Sequence, residues 1–210
     1  MHKLYATYGS GNCYKVQLLM HQIGIPFTVK NIDVLKGETK SEAYLAINPN
    51  GKVPFLSLEN GETIGESNAM LQHLAHGTHL TPESHFDRIK MFEWMLWEQS
   101  SHEPNISPAR FMIAILPELR EANKDRIAEW QQKGNKALGI MNNYLAKHDW
   151  LAGEKYSIAD ISLYGYTHVA HEGEFDMDQY PHIQAWMARV AETPNYISMP
   201  EIMQDLLKAA

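Results

Sequence analysis

The sequence predicts an α/β layer followed by an all-helical part, on three observations. Strand-like and helix-like segments alternate over the first third of the chain. No convincing strand follows Gly77. Between the two parts, residues 78–84 (THLTPES) are rich in turn and cap residues and read as a linker. The expected boundaries are 1–77 for the α/β domain, 78–84 for the linker and 85–210 for the helical domain.

Lys3 to Thr7 reads as a short strand. Cys13 to Gln22 reads as a helix, with Val16, Leu19, Met20 and Ile23 at the spacing of one apolar face. Gly24 is placed to stop it. Phe27 to Ile32 is a second strand, and Ser41 caps a short helix reaching Ile47. Pro54 to Leu58 and Glu62 to Ile64 flank Asn60-Gly61, a strong hairpin signal. A helix then runs from about Ser67 to His76, giving the order β-α-β-α-β-β-α and a mixed sheet.

In the second part, one helix covers about Ser84 to Ser101, with Ile89, Phe92, Met95 and Leu96 on one face. Pro104 and Pro108 interrupt it before a continuation to about Ile115. Asn123 to Lys147 follows, with Ile127, Trp130, Leu138, Met141 and Leu145 as expected core. Ser157 to His171, Pro181 to Glu192 and Ile197 to Lys208 complete the helical half.

Composition bounds the function. The 210 residues are 44% hydrophobic and 20% charged, as in a soluble globular protein. The net charge is −7 and the basic residues are scattered, which argues against nucleic acid and anionic membrane as partners. No signal-peptide pattern and no membrane-length apolar run is present, so a cytoplasmic location is expected. A single cysteine, Cys13, excludes an intramolecular disulfide. The eleven histidines show no metal-ligand spacing; His73, His76 and His79 run out of a helix and read as surface residues, so no metal is expected.

Four segments have chemistry to offer. Ser10-Gly11-Asn12-Cys13 joins the first strand to the first helix, where the partial positive charge of a helix N-terminus stabilises an anion and lowers a nearby thiol's pKa. Ser10 and Asn12 can each donate a hydrogen bond to a thiolate, although a serine here also serves simply as a cap. Cys13 reads as an inward-packed thiol, and Ser10 stands where a dithiol motif needs a second cysteine. In Asn48-Pro49-Asn50-Gly51-Lys52-Val53-Pro54, a turn leads into a strand; most X-Pro bonds are trans, which is the expectation from sequence alone, whereas a cis Val53–Pro54 bond would turn the Val53 N–H and C=O outward to pair with an extended peptide. Glu66 and Ser67, with Ser67 read as N-cap, offer a carboxylate acceptor and a helix N-terminus to an α-amino-acid end. Ser157-Ile158-Ala159-Asp160 reads as a capping box, so Asp160 is expected to be structural.

Together these pieces resemble the glutathione transferase family. The resemblance spans nearly the whole chain, through Ser10-Gly11-Asn12, the Asn48–Leu56 segment, Glu66-Ser67-Asn68-Ala69-Met70 and the Trp150–Asp160 segment, in family order. The active-site loop is similar to the bacterial, theta/nu-like branches that use Ser or Thr.

The resemblance implies a thioredoxin-like, glutathione-binding N-terminal domain and a C-terminal helical bundle domain. It also implies that Pro54 is cis, that Ser10 and Asn12 activate the thiol, that Val53 pairs with the cysteinyl backbone, that Lys52 lies near a carboxylate, and that Glu66 and Ser67 hold the γ-glutamyl end. A second, apolar substrate would lie near Tyr8, Trp97, His102, Asn105 or Phe111. Family members are usually homodimers, and Glu98 or Gln99 would reach toward the partner's site.

The implied activity is conjugation of the glutathione thiolate to small apolar electrophiles, with detoxification as the expected setting. Two alternatives use the same fold: a glutathione-dependent disulfide-bond reductase or peroxidase, and a non-catalytic glutathione-binding or dimerisation module.

Overall fold

A computed structural model describes residues 1–208. It divides into two compact units: Met1–Thr78 together with the segment from Pro194 onward, and His79–Thr193. The sequence boundary assigns everything after residue 84 to the helical domain. In the structure, by contrast, the C-terminal segment packs into the first unit.

The first unit is built on a four-stranded sheet in the order β2-β1-β3-β4. β1 (His2–Ala6) pairs parallel with β2 (Phe27–Asn31) and antiparallel with β3 (Phe55–Ser57), and β3 pairs antiparallel with β4 (Thr63–Ile64). Register puts Leu4 beside both Val29 and Leu56. A parallel β1/β2 pair requires a crossover, which α1 (Gly11–Gln22) provides. Alternation along β1 sends Leu4 and Ala6 inward against Val16, Leu19 and Met20 of α1 and Met70 and Leu71 of α3 (Ser67–Leu74). The short helix α2 (Glu42–Leu45) starts at Ser41, whose hydroxyl accepts the Tyr44 N–H. The predicted order β-α-β-α-β-β-α is the observed one.

The second unit is helical: α4 (His85–Trp97), α5 (Glu103–Arg110), α6 (Lys124–Leu145), α7 (Ile158–Thr167) and α8 (Pro181–Ala191). Every residue of α7 is buried, so the other helices surround it. Two expectations need correction. The core face of α4 is Met91, Trp94 and Met95, whereas Ile89, Phe92 and Leu96 are exposed. Trp130 on α6 is half-buried, its ring covered by the Arg126 guanidinium at 4.9 Å.

Pro104 and Pro108 bend the chain without breaking it. Pro104 lies in the first turn of α5, where a missing N–H has no partner to lose, and Pro108 lies inside it. Wide π-helical turns at Glu98–His102 and Phe111–Ile115 flank the two prolines and absorb the change in pitch. The last helix, α9 (Met199–Lys208), belongs to the first unit. Among the described residues no helix is long and apolar enough to cross a membrane, and no His/Cys/Asp/Glu group could hold a metal ion.

Candidate active site

The loop Thr7–Ser10 leaves β1 and turns into α1. Ser10 is the N-cap, with extended backbone, and its Oγ accepts the Cys13 N–H at 3.3 Å. That bond uses a lone pair, and the hydroxyl hydrogen, which can also face the Cys13 sulfur beneath it, is the one Ser10 can turn toward a ligand anion. Capping and donation to a ligand anion are therefore compatible roles for Ser10.

Cys13 lies beneath this loop with no exposed surface. Burial pushes its thiol up to about 11, although Ser10, the Thr7 N–H and Lys15 pull the other way. Its Sγ accepts the Thr7 N–H at 3.4 Å. At neutral pH it is a packed thiol and not a thiolate, as expected from the sequence.

Asn12 and Ser67 meet. The Ser67 hydroxyl donates to Asn12 Oδ1 at 3.3 Å, joining the first turns of α1 and α3 across 55 residues of sequence. Ser67 is the first helical residue of α3 and not its cap. Glu66 occupies the cap position with extended backbone and makes no side-chain cap bond. The Glu66 carboxylate is exposed, and Ser67 is buried. So Ser10, Asn12, Glu66 and Ser67, separated in sequence, share one side of the first unit at two helix N-termini.

The Asn48–Pro54 turn is fixed from beneath. The Lys52 carbonyl accepts from Tyr44 Oη at 2.7 Å and from Asn48 Nδ2 at 2.8 Å, while Lys40 Nζ donates to the Gly51 carbonyl at 3.1 Å. Gly51 has φ +60, and a Cβ there would lie 2.8 Å from Lys40 Nζ and 2.9 Å from the Thr39 carbonyl, so only glycine fits. The Val53–Pro54 peptide is cis. Lys52 is exposed and Val53 half-exposed. Tyr44 and Lys40 are supports that sequence reasoning missed: their partners lie in a loop 8 and 11 residues further on, with no periodic signal linking them.

The residues assigned to a second substrate divide between the units. Tyr8 is half-exposed on the first. On the second, Asn105 and Phe111 keep some exposed surface, and Asn105 Nδ2 donates to the Ser101 carbonyl at 2.7 Å. Trp97 lines a cavity of about 510 Å³ between α4 and α6, with Trp94, Tyr144, His148, Lys90 and Lys147.

His102 departs from expectation. It is fully enclosed, and its Nε2 lies 2.9 Å from Thr167 Oγ1. That hydroxyl donates to the Leu163 carbonyl at 2.7 Å, so His102 supplies the proton of the first bond and serves as a core residue. Glu98 is likewise enclosed and accepts from Gln99 Nε2 at 2.6 Å, while Gln99 itself stays half-exposed.

Two family profiles match the chain: "Glutathione S-transferase, N-terminal domain" over residues 4–81, and "Glutathione S-transferase, C-terminal domain" over residues 102–194. The chain belongs to the glutathione S-transferase family. Curated members similar to it include Glutathione S-transferase 3 of Zea mays, 28% identical over 203 residues, with 92% of this chain and 90% of that protein covered. Another is the disulfide-bond oxidoreductase YfcG of Escherichia coli K12, 26% identical over 206 residues, covering 94% and 91%.

Among solved structures, a glutathione S-transferase from Pseudomonas fluorescens Pf-5 superposes with a TM-score of 0.91 at 45% identity, covering 94% of this chain and 98% of that one. A possible glutathione S-transferase from Rhodopseudomonas palustris gives 0.92 at 40%, covering 95% and 90%. The fold is thus that of the glutathione transferases, a thioredoxin-like unit followed by a helical one, and the enzyme class is glutathione transferase.

Proposed function

We propose that this chain binds glutathione on its first unit and conjugates the glutathione thiolate to small apolar electrophiles. The observation that supports this most is the place of Ser10: its oxygen caps α1 as an acceptor, so its proton can turn from the Cys13 sulfur to a ligand thiolate, beside a cysteine that is buried and protonated. The nucleophile is then the thiol of glutathione, and the protein's task is to ionise it.

A free thiol has a pKa of about 8.5, so only a few per cent is ionised at pH 7, and lowering it by ~2 units takes about 2.7 kcal/mol. One charge-assisted hydrogen bond supplies about 1.5–3 kcal/mol, and the N-terminus of a helix adds up to about 1 kcal/mol. Ser10 acts as donor and not as base, Asn12 adds a second donor, and the thiolate attacks an electrophilic carbon.

Glu66 and Ser67 hold the γ-glutamyl end, Val53 pairs with the cysteinyl backbone, and Lys52 meets a carboxylate. Tyr8, Asn105 and Phe111, which keep exposed surface, are the residues proposed to touch the electrophile. Two copies associate as a homodimer, and the enzyme works in the cytoplasm.

The likeness to YfcG supports a second reading on the same site, in which bound glutathione reduces a disulfide. Parallel assays with an aryl halide and a mixed disulfide separate the two. The experiment that tests the shared step is titration of thiolate absorbance in the enzyme–glutathione complex. Ser10→Ala should move the midpoint up by roughly one to two units while changing glutathione affinity far less. An unmoved midpoint would mean that Ser10 is only a cap.

A further inference from the structure

The C-terminal helix returns to the first unit after the whole helical unit has been traversed, and it lies beside the loop that carries Ser10. A void of about 10 Å³ is lined on one side by Thr7, Tyr8, Gly9 and Ser10 and on the other by Met199, Ile202 and Met203 of α9. A space that small is at the lower limit for a single water, so helix and loop are close-packed. Met199, Ile202 and Met203 fall at the i, i+3, i+4 spacing of one helical face.

At the start of the loop Thr7 donates to the Cys13 sulfur at 3.4 Å, a weak bond, Gly9 takes the left-handed φ of 73 that glycine adopts readily, and at its end the Ser10 carbonyl accepts the Tyr14 N–H at 2.9 Å. The helix, too, is anchored. Tyr14 Oη, one residue beyond Cys13 on α1, donates to the Ile197 carbonyl at 2.9 Å. Asn195 Nδ2 reaches the Gln22 carbonyl at the other end of α1, at 3.5 Å. Ser198 and Glu201 cap α9 reciprocally: the Ser198 N–H donates to Glu201 Oε2 at 2.9 Å and the Glu201 N–H to Ser198 Oγ at 3.4 Å.

From this arrangement we propose that α9 is a positioning element for thiol activation. Ile202 and Met203, with Tyr14 as the tether, fix the Thr7–Ser10 backbone and thereby the aim of the Ser10 hydroxyl. The proposal rests on the reading of Ser10 as the thiolate donor. It assigns to the last helix a share in setting the nucleophile's pKa without any contact with the substrate. Truncating Ile202 or Met203 opens space under the loop, the loop samples more conformers, and the hydroxyl spends less time directed at the sulfur.

The test is the thiolate titration of the enzyme–glutathione complex in Ile202→Ala, Met203→Ala and Tyr14→Phe. Each should raise the midpoint, by up to about one unit for the alanine variants and less for Tyr14→Phe, with KM for glutathione nearly constant. Combined with Ser10→Ala, each should add no further shift, because it acts through that hydroxyl. If Ser10→Ala moves the midpoint and the α9 variants do not, or if their shifts add to that of Ser10→Ala, the positioning role is wrong and the Ser10 reading survives. If Ser10→Ala moves nothing, the underlying reading fails. Should either alanine variant not fold, Tyr14→Phe, which keeps the ring and removes only the tether, decides the matter alone.

Discussion

Cys13 and Ser10 show how one turn of helix gives neighbouring residues opposite chemistry. The N-terminus of α1 favours anions, yet Cys13 faces the interior, where desolvation outweighs that field and three favourable neighbours. With a thiol near 11, roughly one molecule in ten thousand carries a Cys13 thiolate at pH 7. Cys13→Ala should therefore retain most of the conjugation rate, and native protein should resist thiol alkylation until unfolded. Rapid modification of folded protein at neutral pH would contradict this.

Ser67 is exacting in a different way. Its hydroxyl already donates to Asn12, so a bound carboxylate must draw that proton away or use the N–H groups of α3. Ser67→Ala should weaken glutathione binding by about 1–3 kcal/mol, read by calorimetry, and unchanged affinity would remove Ser67 from the site.

At the scale of elements, what was legible in the sequence is what is local. Ser10, Ser41, Ser84 and Ser157 all act as caps, because a cap and its helix are neighbours in the chain. The core face of α4 is not legible in the sequence for the opposite reason. Apolar residues occur around most of its circumference, and periodicity does not say which of two apolar arcs meets the core.

Asp160 lies between these cases. Its capping box is local and legible in the sequence, with Ser157 N–H and Oγ both donating to Oδ2. Its other oxygen accepts from Leu151 N–H at 3.0 Å and Trp186 Nε1 at 2.9 Å, partners 9 and 26 residues away that no sequence pattern marks. Asp160→Ala leaves these buried donors without an acceptor and should cost at least about 3 kcal/mol in denaturant unfolding.

Burial also raises the Asp160 carboxyl to about 6, above its unfolded value of about 3.9, against the pull of the four donors. A group that binds its proton more tightly when folded favours the folded state at low pH. Its contribution is fully present below about pH 4, is lost as pH rises through about 6, and is flat above. The stability difference between wild type and Asp160→Asn should fall across that window, and a constant difference would mean that the carboxyl stays ionised throughout.

At the scale of the whole molecule, the outer face of α4 carries a row of exposed apolar side chains. Phe86, Ile89, Phe92 and Leu96 recur three or four residues apart and are 69%, 48%, 42% and 70% exposed. Single exposed apolar residues are ordinary, but four in a row along one helix form a contiguous stripe. Beside it, between α4 and α6, runs the aromatic cavity containing Trp94, Trp97 and Tyr144. A second copy is the partner that the proposed homodimer supplies, and a two-fold contact would bury the same stripe twice.

Burying a fully exposed Phe, Ile or Leu side chain contributes about 1.5–3 kcal/mol, so eight that are about half exposed contribute roughly 6–12 kcal/mol, a large share of what a micromolar complex needs, with the rest of the contact offsetting the losses of association. Wild type should sediment as a dimer of 24.0 kDa chains at micromolar concentration. Leu96→Glu, the most exposed of the four, should sediment as a folded monomer with an unchanged far-UV spectrum, since it disturbs no intrachain core. A variant that remains dimeric would place the interface elsewhere and leave the α4 stripe as ordinary surface.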